Sequence, residues 1–275
     1  MKKILVPIDF SKPSEYAAKM AAKIAEKTSA SIYLIHLIEL PTGVIDMGSG
    51  SKFSIPESML YLRKTKEKIV AFKNTFFTDE MNVEYFIKLS NPFDGIKKYA
   101  EKINADLIIM GSKGHSEFEE IMIGSNTEKV VRSSKTPVIV VKKDDAKIKL
   151  KNLVFASNFK EENKEVFSKF LNFANAFNSK IHLLKINTPS QFESTFNAKE
   201  KVKTFIKDYN LPKHTINIYN DVSVEKGILN YAKEKKADLI ALSTHGRSGI
   251  SHLFTGSVTK NLSKKALKPM FTVKV

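Results

Sequence analysis

The chain has no cysteine, which excludes disulfide frameworks, thiol nucleophiles and zinc–thiolate centres, and leaves any chemistry to oxygen, nitrogen and backbone groups. Long apolar runs are missing as well. None approaches the roughly 18 residues that span a bilayer, and the opening MKKILVPIDFS turns acidic where a secretion signal would continue its apolar stretch. A soluble cytoplasmic protein with no membrane partner is expected. Arginine is scarce: Arg63, Arg132 and Arg247 are the only three among 45 basic residues. The guanidinium fork is the group best shaped for phosphates and guanine edges. The formal charge of +16 therefore reads as solvated lysine-rich helix faces, and nucleic acid is not expected as a partner. The charge is also uneven, since residues 1–145 carry 22 Lys+Arg against 19 Asp+Glu and residues 146–275 carry 23 against 10.

Familiar catalytic signatures are absent too. The six histidines do not cluster at ligand spacing, and His245 and His252 have no paired carboxylates. There is no GxxxxGK[ST] loop, no GxGxxG after a first strand and no GxSxG elbow. No dedicated catalyst is legible.

What the sequence does contain is a repetition. KKILVPIDFS (residues 2–11) aligns with KNLVFASNFK (151–160), and NADLIIMGSKG (104–114) aligns with KADLIALSTHG (236–246). The offset is 149 at the first pair and 132 at the second, so the first half holds 17 additional residues between them. They fall in or near ELPTGVIDMGSGSKFSIPES (39–58), whose Gly, Ser and Pro content reads as a long loop. The charged join KKDDAKIKLKN (142–152) separates two tandem domains, residues 1–145 and 146–275.

Within the first half, β-rich runs are expected near residues 3–9, 31–38, 82–88, 106–111 and 137–142, and helices over 14–28, 58–76, 94–104 and 125–134. Alternation of this kind implies an α/β domain: a five-stranded parallel sheet with right-handed crossovers and helices on both faces. Continuous apolar runs such as ADLIIM (105–110) and PVIVV (137–141) fit strands buried on both sides. The second half repeats the plan from residue 151.

Ligands of open α/β sheets bind beyond the carboxyl ends of the strands, and the glycines sit there. Gly111 is followed after two residues by Gly114, then after nine by Gly124 and Ser125. Glycine at a strand end permits positive φ and close backbone approach. Ser125, Asn126 and Thr127 fall at the unpaired N–H end of a helix, a natural anion site. The alternative for each residue is a tight turn or a helix cap; for Asp9 that cap would precede KPSEYAAK.

KILVPIDFSKPSEYAAKMA together with G-x2-G-x9-G-S resembles the universal stress protein family, here as a tandem two-domain member. The resemblance implies two Rossmann-like (adenine nucleotide alpha hydrolase-like) domains, with one branch of the family binding ATP and another not. It implies that Asp9 contacts the adenosine part and that the backbone of Leu37 faces adenine. Gly111, Gly114, Gly124, Ser125 and Asn126 would hold ribose and phosphates, with Pro7 and Met110 beside them. In the second half the set is Gly246, Arg247, Gly256, Ser257 and Val258. The ligand implied is ATP, ADP or AMP, with Mg2+ as a companion. The family also pairs domains through their last strands, here near 137–142 and 270–274, which would make one chain an intramolecular pseudo-dimer; association of two chains into a homodimer stays open.

The second half departs from the pattern. Ser243 stands for Gly111 and Asn158 for Asp9, whereas Arg247 follows Gly246 where the first half has His115 and then Glu117, Glu119 and Glu120. Three readings stay open: a nucleotide-binding stress-response module, a nucleotide-free tandem scaffold with decayed sites, and a slow ATPase drawing Mg2+ to Asp9 or to the glutamates.

Overall fold

A computed structural model describes residues 1–39, 55–112, 124–144, 149–244 and 268–275. The first half runs β1 (Lys3–Pro7), α1 (Lys12–Thr28), β2 (Ser31–Ile38), α2 (Ile55–Phe76), β3 (Val83–Leu89), α3 (Pro92–Lys102), β4 (Leu107–Gly111), α4 (Ser125–Ser133) and β5 (Val138–Val141). The second half runs β6 (Asn152–Ala156), α5 (Lys164–Ala176), β7 (Lys180–Asn187), α6 (Thr195–Ile206), β8 (His214–Asn220), α7 (Val224–Glu234), β9 (Leu239–Thr244) and β10 (Met270–Lys274). The helix expected after Ser257 lies outside the described residues. No helix among the described residues is long and apolar enough to cross a membrane.

Local chemistry accounts for the element boundaries. Helix α1 starts where the Ser11 hydroxyl accepts the Ser14 N–H at 3.5 Å, with Pro13 in the first turn, where its missing donor costs nothing. It stops at Ser29, whose N–H still bonds the Ala25 carbonyl and whose left-handed φ of 54° then turns the chain out of the helix. Left-handed non-glycine residues recur in register across the halves: Phe10 (64°) with Phe159 (56°), Ser29 with Asn178 (49°), and Asn104 (50°) with Lys236 (50°). The duplication is therefore one of backbone conformation as well as of residue type.

The described strands form a ten-stranded sheet in the order β3-β2-β1-β4-β5-β10-β9-β6-β7-β8. Each half is a parallel sheet of five, with its chain reversal between the first and fourth strands. The two are joined where β5 and β10 pair antiparallel, Val138 opposite Thr272, Ile139 opposite Phe271 and Val140 opposite Met270. Pairing satisfies two apolar edges that would otherwise present open backbone to solvent. The Thr272 hydroxyl, fully buried, adds a bond to the Val138 carbonyl at 3.3 Å.

One face of the sheet carries a single core that crosses this seam, from Ile4, Ile109 and Ile139 to Phe271, Phe155 and Phe170. The other face carries two separate cores, one around Leu5, Ile108 and Val140 and one around Val154, Ile240 and Tyr231. In the second half the shared core is largely aromatic, with Phe155 lying 4.9 Å from Phe167 and 5.2 Å from Phe170 between ring centres.

His182 on β7 is buried, with Nδ1 3.0 Å from the Thr215 hydroxyl and 3.4 Å from that of Tyr231. Burial, aided by the positive charges of Lys180 and Lys235, pulls its pKa below the ordinary 6.5. A depressed folded pKa means that the unfolded chain takes the proton first. The contribution of neutral His182 is complete above 6.5 and is lost as pH falls from there through the folded value. Acid should therefore erode stability by up to about 1.4 kcal/mol per pH unit from this residue. His182→Tyr, which installs the residue found at the equivalent Tyr33, should flatten the dependence when urea midpoints are compared at near-neutral and mildly acidic pH.

Candidate functional site

The site forms where the chain order reverses, beyond the carboxyl ends of β1 and β4. The chain leaves β1 at Pro7 and turns through Ile8, Asp9 and the left-handed Phe10 into α1. The sequence placed Asp9 at the end of the first strand; it stands two residues past it, because the turn begins as soon as the pairing with β2 ends. Asp9 Oδ1 accepts the Ser11 N–H at 3.0 Å and also the Ser11 hydroxyl. One carboxylate oxygen thus holds the turn into α1, as the cap reading requires, while Oδ2 has no partner among the described residues.

Gly111 ends β4. Its φ lies outside the left-handed region, so the expectation of positive φ does not hold. What demands glycine is space: a Cβ there would lie 2.4 Å from the carbonyl carbon and oxygen of Pro13 and 2.5 Å from Pro13 Cβ. The first turn of α1 packs directly on the end of β4. The Gly111 carbonyl then accepts the Thr127 hydroxyl at 3.0 Å, tying the start of α4 to the same strand end. Gly124 is the N-cap of α4 at φ −62° and ψ 147°, with no side-chain cap. Any residue adopts that backbone, so its glycine is not a conformational necessity.

A cleft of about 150 Å3 opens between these elements. Of the expected residues, Pro7, Asp9, Leu37, Met110, Gly111 and Asn126 line it. Gly124 and Ser125 sit at the start of α4 without lining it. Gly114 lies outside the described residues, as do His115, Glu117, Glu119 and Glu120, and in the second half Gly246, Arg247, Gly256, Ser257 and Val258. Sequence reasoning missed Ser14, Pro92 and Ile96 among the other residues of the wall, whereas Thr127, expected at the N–H end of α4, lines it too. The available signal was positional, since each belongs to the first turns of a helix facing the switch point. Three helix starts, those of α1, α3 and α4, converge on the cleft. Each brings the positive end of a dipole, but only α4 of the three opens without a side-chain cap: Pro13 and Pro92 have no N–H to offer, and those of Ser14 and Phe93 are taken by Ser11 and Asn91. No group of three or more His, Asp or Glu side chains suited to a metal is found among the described residues.

The second half is built differently at the same place. Asn158 Oδ1 accepts the Lys160 N–H at 3.2 Å and the Asn163 side-chain amide at 2.8 Å, so its carbonyl is already committed internally. Ser243 is buried where the first half has Gly111. Residues Glu161–Asn163, the counterpart of the first turn of α1, form a 3-10 turn, and α5 begins only at Lys164. The close approach of Pro13 to Gly111 has no equivalent once the strand end carries a Cβ.

A family model described as the universal stress protein family matches residues 1–142 and again residues 149–274. The chain belongs to the universal stress protein family. A universal stress protein of Methanocaldococcus jannaschii is 35% identical over 144 residues, covering 52% of this chain and 82% of that one. A stress response protein of Bacillus subtilis is 26% identical over 161 residues, covering 51% of this chain and 97% of its own length. Along its whole length the chain shares the fold of a universal stress protein from Archaeoglobus fulgidus, with a TM-score of 0.76 over 99% of this chain and 98% of that one at 19% identity. The double match and the ten-stranded sheet describe a tandem member of the family with two Rossmann-like α/β domains.

Proposed function

We propose that this universal stress protein binds adenine nucleotide, ATP or the related ADP and AMP, in the first-half cleft, and that it works in the cytoplasm as a stress-response regulatory module rather than as a strong catalyst. The observation that carries this reading is the convergence of three helix starts on a cleft whose wall also holds Asp9 and the apolar Ile35, Leu37 and Met110. A cleft of about 150 Å3 is smaller than the roughly 300–1,000 Å3 of a complete small-molecule site. It suits the nucleoside part, with phosphates reaching toward the N–H groups of Ser125, Asn126 and Thr127. Asp9 Oδ2 would accept from a ribose hydroxyl or an exocyclic amine. A Mg2+ ion entering with the phosphates would meet Asp9 as the one carboxylate among the described lining residues. We take the domain borders to follow the repeat, at 1–145 and 146–275, and the β5–β10 pairing supports reading the chain as a pseudo-dimer.

Gentle purification followed by denaturation should release adenine nucleotide, with native mass spectrometry counting ligands and chains together. Asp9→Ala removes one charge-assisted hydrogen bond of about 1.5–3 kcal/mol, so calorimetry should show ATP affinity falling by about tenfold or more. Absence of bound nucleotide, with no binding at millimolar ATP, would overturn the proposal. For the second half, the internally committed Asn158 favours the scaffold reading. ATP turnover above background that disappears in Asp9→Ala would add the slow ATPase activity.

A further inference from the structure

Helix α3 opens on Pro92, with Asn91 capping it by accepting the Phe93 N–H at 3.1 Å. Its fourth residue, Gly95, is buried. A Cβ at this position would lie 2.6 Å from Leu37 Cδ2 and 2.9 Å from Cδ1, and Leu37 is a wall of the cleft. The same arrangement recurs in the second half. Gly227 in α7 is buried, and a Cβ on it would lie 2.8 Å from both Cδ1 and Cγ2 of Ile186. Gly227 and Ile186 are the repeat partners of Gly95 and Leu37 at the offsets of 132 and 149.

Neither glycine has a left-handed φ, so the backbone does not require it, and glycine within a helix costs propensity. Space is the remaining reason. The two halves have diverged at Asp9 and Asn158, at Gly111 and Ser243, and at the wall residue itself, leucine in one and isoleucine in the other. The glycine facing that wall is present in both.

We infer that Gly95 is a positioning residue of the cleft: it gives the Leu37 side chain room to lean back on α3, and so sets the width of the wall that meets the base. This rests on the nucleotide reading above. A methyl group at position 95 would displace flexible leucine ends rather than backbone. Leu37 packs on the edge of a core whose members Ile35 and Ile96 are buried and itself lines the cleft, so a displaced side chain is expected to move toward the cleft. The ligand class it gauges is a flat heterocycle held at the end of β2, and the phosphates are not involved.

The test uses the full chain and compares wild type, Gly95→Ala, and Leu37→Val combined with Gly95→Ala, titrated with ATP and with inorganic triphosphate. Gly95→Ala should weaken ATP by about tenfold or more, the scale of losing fit at one buried apolar contact, and leave triphosphate unchanged. Valine at position 37 removes the displaced methyls and should restore ATP affinity to near wild type. Binding unchanged in Gly95→Ala, or weakened without rescue by Leu37→Val, would overturn the inference. Should wild type bind no nucleotide, the functional reading fails and methyl NMR decides this one: Leu37 methyl contacts shifted toward Pro7 and Met110 in Gly95→Ala support it, and unchanged contacts sink it. Circular dichroism confirms folding, which alanine in a helix should favour.

Discussion

Gly111→Ala is expected to lower stability by about 1–3 kcal/mol, the scale of overpacking a close-packed site, and to disable the cleft at the same time. The new methyl would fall 2.4 Å from the carbonyl carbon and oxygen of Pro13, well inside van der Waals contact, and backbone cannot rotate out of the way as a leucine end can. Either α1 moves off β4 or β4 bends. Moving α1 carries away Ser14 and loosens the turn that Asp9 holds. Bending β4 breaks the bond from Thr127 to the Gly111 carbonyl. Urea denaturation and ATP titration of one preparation check both effects. A midpoint shifted by less than about 0.5 kcal/mol, the scatter of ordinary surface substitutions, would show that the helix can yield at no cost.

The largest loss of stability is expected for Phe271→Ala, at about 3–5 kcal/mol for deleting a fully buried phenyl ring. Phe271 is 1% exposed, lies opposite Ile139 across the seam, and packs 5.4 Å from Phe173 and 5.9 Å from Phe170 between ring centres. It belongs to the one core shared by both halves. The damage should thus reach their coupling as well as one domain. In a thermal scan, wild type should unfold in one cooperative transition and Phe271→Ala in two separated ones. A single transition, merely shifted, would show that the halves stay coupled by other contacts.

Much of the fold was legible because its signals are local. Strand and helix alternation follows from apolar runs such as ADLIIM and from the alanine-rich face of α1, and the observed elements lie within a few residues of those expected. The place of the cleft was legible too, since strand ends at a chain reversal follow from element order alone. Seven of the expected residues, among them Asp9, Leu37 and Asn126, line it. The reason for Gly111 was not legible. Glycine there suggested positive φ and a ligand against the backbone, whereas the atoms that forbid a side chain belong to Pro13, nearly a hundred residues earlier in the chain. Gly95 stood unremarked in NPFDG, because its meaning depends on Leu37 from another element. Phe10 and Phe159 gave no hint of left-handed turns, since a bulky aromatic residue is among the least suited to them.

The sequence by itself determined the duplication, the α/β class, the parallel pairing within each half and the rim on which a ligand would sit, because hydrophobic period, turn residues and element order act over a few residues at a time. Tertiary structure alone decided which atoms crowd Gly111 and Gly95, how the Asp9 carboxylate divides between its turn and the cleft, and how Asn158 is committed in the second half. Those outcomes depend on contacts between residues distant in the chain, where a few tenths of an ångström in helix placement separate an open cleft from a filled one.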